Sequence, residues 1–196
     1  FGAHGNLHLS PHLGNLGRPR ALTELEPSIQ KVEALYQATF DQVCEDAHPH
    51  TPTSAVADKR DQDSLKIQHH HAHVAAVMVE YQLTGPILGF AWDGSGYGTD
   101  GHVWGSEAFY VEGSHFIRVA HLHPFQLLGG DKANLQPRRI AFALLKDTFD
   151  NAEFLQLKEK LPFLHSFSDT DFHILADMSE KNINTPLSTS MGRLFD

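Results

Sequence analysis

Four histidines fall within five positions in "HHHAH", His69 to His73, a density far above ordinary composition. On a helix, residues four apart share a face, so His69 and His73 can aim ring nitrogens at one ion if the helix has begun by His69. His70 and His71 then point elsewhere. Imidazole suits zinc, iron, nickel or copper, so the pair does not name its metal. No glutamate stands between the two histidines, which argues against a helical zinc protease. A solvated helix start has the same spacing, and spacing alone leaves both readings open.

Asp93 comes far enough downstream of the histidines for one helix and a return strand. It closes the apolar run "ILGFAW" and opens "DGSGYGTDG", Asp93 to Gly101. A carboxylate at the end of a buried strand, followed by glycines, can sit beside a phosphate-cradling loop. Gly94 and Gly96 would allow a ligand to approach the backbone closely. On local sequence alone a plain turn is the simpler reading. Beside His69 and His73, Asp93 could complete a metal set of two histidines and one aspartate.

A third stretch is "GGDKANLQPRR", Gly129 to Arg139. Lys132, Arg138 and Arg139 could hold an anion, since guanidinium groups match carboxylates and phosphates. A loop entering a helix with solvated arginines is the plainer alternative. Glu107 and Asp100 are further polar candidates without an independent claim. No residue stands out as a nucleophile, so no catalytic residue is assigned. The single cysteine, Cys44, excludes an internal disulfide and a multi-cysteine zinc site within these residues.

These residues need a scaffold. Apolar spacing predicts a helix from Pro27 to Glu45, with Ile29, Val32, Leu35, Tyr36, Phe40 and Val43 on one face and Cys44 a structural residue near its end. Residues 1–20 read as loop with one short strand, and "DAHPHTPTSAVADKRDQDS" as polar loop. "LKIQ" is a short strand leading into a helix over the histidines, with Val74, Val77, Met78 and Tyr81 inward. "ILGFAW" is a strand, followed by a hairpin of "HVWGSEAFYV" and "HFIRVAHL". "PFQLLGGDKANLQ" reads as loop, Pro137 to Leu145 as helix, and the last fifty residues as mostly helical. The expected class is α/β, a mixed sheet with helices and an antiparallel hairpin.

Composition narrows the function. The chain is 196 residues long, 41% hydrophobic and 20% charged, as expected of a globular protein. Its formal charge is −9 with histidines neutral, which argues against a nucleic-acid partner. Protonating all fifteen histidines would reverse that sign. No apolar run reaches the ~20 residues needed to span a bilayer. The opening residue is Phe1 rather than Met, which suits a piece cut from a longer protein. One cysteine suits a reducing, cytoplasmic setting.

Together the motifs resemble one family, the HypF carbamoyltransferases of nickel–iron hydrogenase maturation. The matching strings are "LSPHLGNL", "HPH", "QHHHAHVAA", "DGSGYGTDGHVWGSE", "HLHPFQLLGGDKANLQPRR" and "STSMGRLFD", in order along almost the whole chain. Asn15 and His50 depart from the family strings, which carry aspartate there. The resemblance implies a TsaD-like domain of the actin/sugar-kinase/heat-shock ATPase superfamily. It implies that residues 1–196 form part of that domain, without its first strand and its C-terminal half. It also implies a divalent metal held by His69, His73 and Asp93, with iron, zinc and magnesium all open. ATP is the implied co-substrate. The implied reaction carries a carbamoyl group from carbamoyl phosphate, through carbamoyl-adenylate, to the C-terminal cysteine of the partner HypE. Lys132, Arg138 and Arg139 would face the carbamoyl-phosphate end, and His70 could line the substrate channel. Two rivals stand beside this: a small-molecule O-carbamoyltransferase of the same fold, and a non-catalytic, histidine-rich metal-binding module.

Overall fold

The computed structural model describes residues 2–3, 6–37, 39–40, 42–60 and 63–196. They fall into two compact units, Phe1–His69 and His70–Asp196.

In the first unit, β1 (Gly2–Ala3) and β2 (Asn6–Leu7) pair antiparallel. Helix α1 (Pro19–Tyr36) follows, then β3 (Val43–Asp46), the short α2 (Ser54–Ala57) and β4 (Ser64–Ile67). The helix thus starts and stops earlier than the apolar spacing predicts. Pro19 takes the first turn, where a missing N–H costs nothing, and Pro27 sits inside the helix. Gln37 closes it in the left-handed conformation at φ 49°, its N–H reaching back to Ala34 and Glu33. Cys44 therefore lies in a strand and is exposed, not in a helix. Arg60 ties its loop to α1 through Glu26, at 3.0 Å, and Glu33. Strands β3 and β4 run parallel, with Asp46 opposite Ile67, two residues ahead of His69.

Helix α3 (His69–Glu80) begins at the last residue of that unit and carries the histidines into the second. After Gly85, at φ 88°, come β5 (Ile87–Tyr97), β6 (Val103–Glu112) and β7 (His115–His121). Then follow β8 (Phe125–Gln126), α4 (Asp131–Leu135), α5 (Arg138–Thr148) and α6 (Asn151–Lys160). A single 3₁₀ turn (Pro162–Ser166), α7 (Asp169–Lys181), β9 (Leu187–Ser188) and α8 (Met191–Phe195) complete the chain. Strand β6 pairs antiparallel with β5 and β7 and parallel with β9, which pairs antiparallel with β8. The expected mixed sheet with its hairpin is present.

Three further local expectations change. The stretch Pro124 to Gln136 is not all loop, since it holds β8 and α4. Strand β5 does not end at Asp93 but runs on to Tyr97, with a shift in register between Trp92 and Gly96. Of the four apolar residues expected inward on α3, Val74 is buried and Met78 partly so, whereas Val77 and Tyr81 are exposed. The inward ridge is His70, Val74 and Met78, four apart, because α3 lies unusually close to the sheet. A side-chain carbon at Gly89 would come 2.5 Å from Val74, so only glycine admits the helix there. Val74 packs with Ala91, Trp104, Phe109 and Val111. A second core gathers Phe142, Phe154, Leu164, Phe172 and Leu175 from the later helices. The capping box of Asp150 and Glu153 fixes where α6 begins.

Candidate metal centre

His69 and His73 stand one turn apart on α3, and Asp93 faces them from β5. The three residues each offer one ligand atom, all within 4.8 Å of one another. His73 Nε2 lies 3.6 Å from Asp93 Oδ2. The other oxygen, Oδ1, lies 2.9 Å from Nε2 of the fully buried His70. One oxygen of Asp93 is thus engaged by an orienting imidazole while its partner faces His73, an arrangement typical around metal-bound carboxylates. Two imidazoles and a carboxylate are a donor set that fits a divalent transition ion.

The histidines of the run therefore do different work. His70 holds Asp93. His71 stacks on Phe116 with ring centroids 4.4 Å apart and meets Phe109 edge-on at 5.0 Å. Burial, and secondarily the neighbouring His70, pushes the His71 pKa below the ordinary imidazole value.

The main chain at Asp93 is clamped as well. The hydroxyl of buried Ser190 lies 2.7 Å from the Gly94 carbonyl and 3.2 Å from that of Asp93. Arg193 Nε donates to the Gly94 carbonyl at 3.2 Å. A side-chain carbon at Gly105 or at Gly192 would come 2.8 Å from the Asp93 carbonyl oxygen. The segment "STSMGR" thus packs around the backbone of the candidate ligand. Sequence reading missed this, although a serine and a glycine two apart beside a buried strand are the available signal.

The other charged candidates are placed differently. Glu107 is fully buried and accepts from Arg118 Nε at 2.6 Å, from Thr189, and from the Gly105 and Ser106 amides at 3.3 Å. Arg118 also donates to Asp100 at 2.9 Å and lies 4.0 Å over the Trp104 ring. Burial alone would raise the Asp100 pKa, but donation from the His102 amide and the Trp104 indole outweighs it and holds the carboxyl below its usual range. Arg138 donates to the Ser166 carbonyl at 2.7 Å and lies over Phe167. Arg139 donates to Gln136 at 2.9 Å and to the Leu128 carbonyl at 3.2 Å. Lys132 sits on α4, its stem beside Gly129. Gly94 and Gly96 lie within β5 rather than in a loop, and the Arg193 guanidinium faces Gly94. The two arginines thus brace loops, and the structure brings together His69, His73 and Asp93.

The architecture is that of the Kae1/TsaD-like domains of the actin and heat-shock ATPase superfamily. Residues 89–196 match the family described as "Carbamoyltransferase, Kae1-like Domain, second subdomain", and residues 1–80 match "HypF Kae1-like domain". The chain belongs to the HypF carbamoyltransferase family. It is 36% identical to carbamoyltransferase HypF of Synechocystis over 96% of this chain and 26% of that protein. Against HypF of Rhodobacter capsulatus the identity is 37%, covering 98% of this chain and 26% of that one. The crystal structure of T. kodakarensis HypF superposes with a TM-score of 0.83 at 30% identity, over 94% of this chain and 25% of that one. Full-length HypF in its phosphate- and nucleotide-bound form gives a TM-score of 0.80 at 29% identity, over 93% of this chain and 23% of that one. The chain spans about a quarter of the length of these four relatives. No helix among the described residues is long and apolar enough to cross a membrane.

Proposed function

We propose that this chain is the metal-holding part of a longer, ATP-dependent carbamoyltransferase of hydrogenase maturation. The transferred group comes from carbamoyl phosphate through carbamoyl-adenylate and is received by the C-terminal cysteine thiol of HypE. In the transfer a bond forms between the cysteine sulfur and the carbamoyl carbon, the carbon–oxygen bond to AMP breaks, and the thiol proton is released. The observation that carries this reading is the convergence of His69, His73 and Asp93 in a chain of this family.

A divalent ion there would supply Lewis acidity toward phosphate oxygens. His69, His73 and Asp93 are its proposed ligands, and His70 fixes the Asp93 carboxylate. Nitrogen donors suit iron or zinc better than magnesium, which prefers an all-oxygen shell. Lys132 is the cation proposed for the anionic end of the substrate. Arg138 and Arg139 shape the loops around it through their carbonyl contacts. Gly94 and Gly96 leave the backbone open to a phosphate beside Asp93. A solved relative that holds phosphate and nucleotide supports ATP as the co-substrate. ATP and a free acceptor thiol together suit the cytoplasm.

The test is mass spectrometry of the HypE C-terminal cysteine after incubation with the longer protein, ATP and carbamoyl phosphate. A carbamoylated cysteine, absent with a His69→Ala/His73→Ala variant of normal stability, is the expected result. An unmodified cysteine with a folded protein that still consumes carbamoyl phosphate would redirect the reading to a small-molecule acceptor. Equal labelling by both proteins would remove the histidines from the reaction.

A further inference from the structure

The structure assigns Asp46 as the residue that positions His69. This inference rests on the metal reading above and adds a residue to it. Strands β3 and β4 are parallel and set Asp46 beside Ile67, two residues ahead of His69. Asp46 Oδ2 lies 2.7 Å from His69 Nδ1. Its other oxygen accepts the His48 amide at 2.8 Å, which fixes the carboxylate plane.

The consequence is chemical. A neutral imidazole carries one N–H and one lone pair, and a carboxylate accepts only the N–H. With Nδ1–H donated to Asp46, the lone pair of His69 is on Nε2, the nitrogen that can then face an ion. The same bond fixes the ring rotation, because flipping the ring would set a C–H against the carboxylate. Asp93 has its own partner in His70, at 2.9 Å. Two of the three proposed ligands thus have a dedicated side chain behind them. In the sequence, Asp46 opens a polar loop and carries no signal of this role. The parallel register alone brings it to His69.

Binding of cobalt(II) to the full chain, followed by its visible absorption, tests the assignment. The variants are Asp46→Asn, Asp46→Ala and Asp93→Asn, with thermal melting as the control for folding. Asp46→Ala is expected to weaken binding by roughly 10–100-fold. Asp46→Asn keeps an acceptor without its charge and should fall between Asp46→Ala and the parent. Both Asp46 variants should retain the parental cobalt spectrum, whereas Asp93→Asn should change it. Parental affinity in Asp46→Ala overturns the assignment. So does an Asp46→Asn spectrum altered like that of Asp93→Asn, which would make Asp46 a ligand itself. Nitrogen-15 NMR of the metal-free chain decides the point separately. His69 should carry its proton on Nδ1 in the parent and lose that preference in Asp46→Ala. If the parent binds no cobalt, the metal reading fails, and the tautomer measurement still supports or overturns the hold of Asp46 on His69.

Discussion

Two clusters of ionisable residues border strands β5 and β6, and they are built on opposite plans. Around Glu107 every charge has a fixed counterpart: Arg118 bridges it to Asp100, and Thr189 with two amides completes the carboxylate. Around Asp93 the groups that converge are imidazoles, with the ligand atoms of His69, His73 and Asp93 all within 4.8 Å of one another and His70 at 2.9 Å from the carboxylate. A buried carboxylate matched by arginine is a charge pair that serves the fold. A carboxylate matched by imidazoles can accept an ion. The difference lies in what faces the carboxylate: a guanidinium at Glu107, imidazoles at Asp93.

That contrast makes separable predictions. Glu107→Ala leaves Arg118 without its buried counter-charge and should cost about 3–5 kcal/mol of stability, read by chemical denaturation. A cost under about 1 kcal/mol would show that the network is not the sealed unit described. His73→Ala should do the reverse. His73 is half exposed, so the metal-free chain should keep its stability within about 0.5 kcal/mol. Its affinity for zinc or iron, measured by calorimetry, should fall by more than the roughly 10–100-fold expected for an outer partner.

Ser190→Ala should be milder than either. It removes the hydroxyl that lies between the Asp93 and Gly94 carbonyls, a loss of about 1 kcal/mol in stability. Metal affinity should fall with it by several-fold, because the Asp93 main chain loses a restraint. Stability loss with parental affinity would assign Ser190 to the structural plan alone.

The same contrast explains what could be read before the fold was known. The pairing of His69 with His73 on one helix face is legible because helix periodicity is local, whereas Asp93 reads as a strand end and in fact lies inside β5, which runs on to Tyr97. For His70 the sequence leaves open a support behind the ligands, a surface position and the substrate channel, since the inward ridge of α3 that decides between them is set by the close approach at Gly89, a tertiary fact. Pro27 misplaced the start of α1, because a proline suits a first turn and the earlier Pro19 suits it equally. Arg138 and Arg139 read as anion ligands because guanidinium groups match phosphates, whereas here they reach backbone carbonyls that no sequence pattern announces. Asp46 and Ser190 meet the site only through strand register and through contacts nearly a hundred residues apart in the chain. The overall class was accessible, since alternating strands and helices carry it locally. The partners of each site residue were not.

The smallest expected effect concerns acid. The Asp100 carboxyl sits below its ordinary value near 3.8 because the His102 amide and the Trp104 indole favour its charged form over the penalty of burial. A group with a lowered folded pKa stabilises the fold above its unfolded pKa and loses that contribution as pH falls through the folded value. Asp100 therefore adds stability at neutral pH, and this is withdrawn only below about pH 4. Its side chain is more than a third exposed, so screening by solvent keeps the contribution under about 1 kcal/mol. Asp100→Asn should lower stability slightly at pH 7 and flatten the decline below pH 4 in denaturation of the metal-free chain. An acid limb as steep as the parent's would mean that Arg118 is neutralised by Glu107 alone. The sealed cluster would then be a pair, with Asp100 outside it.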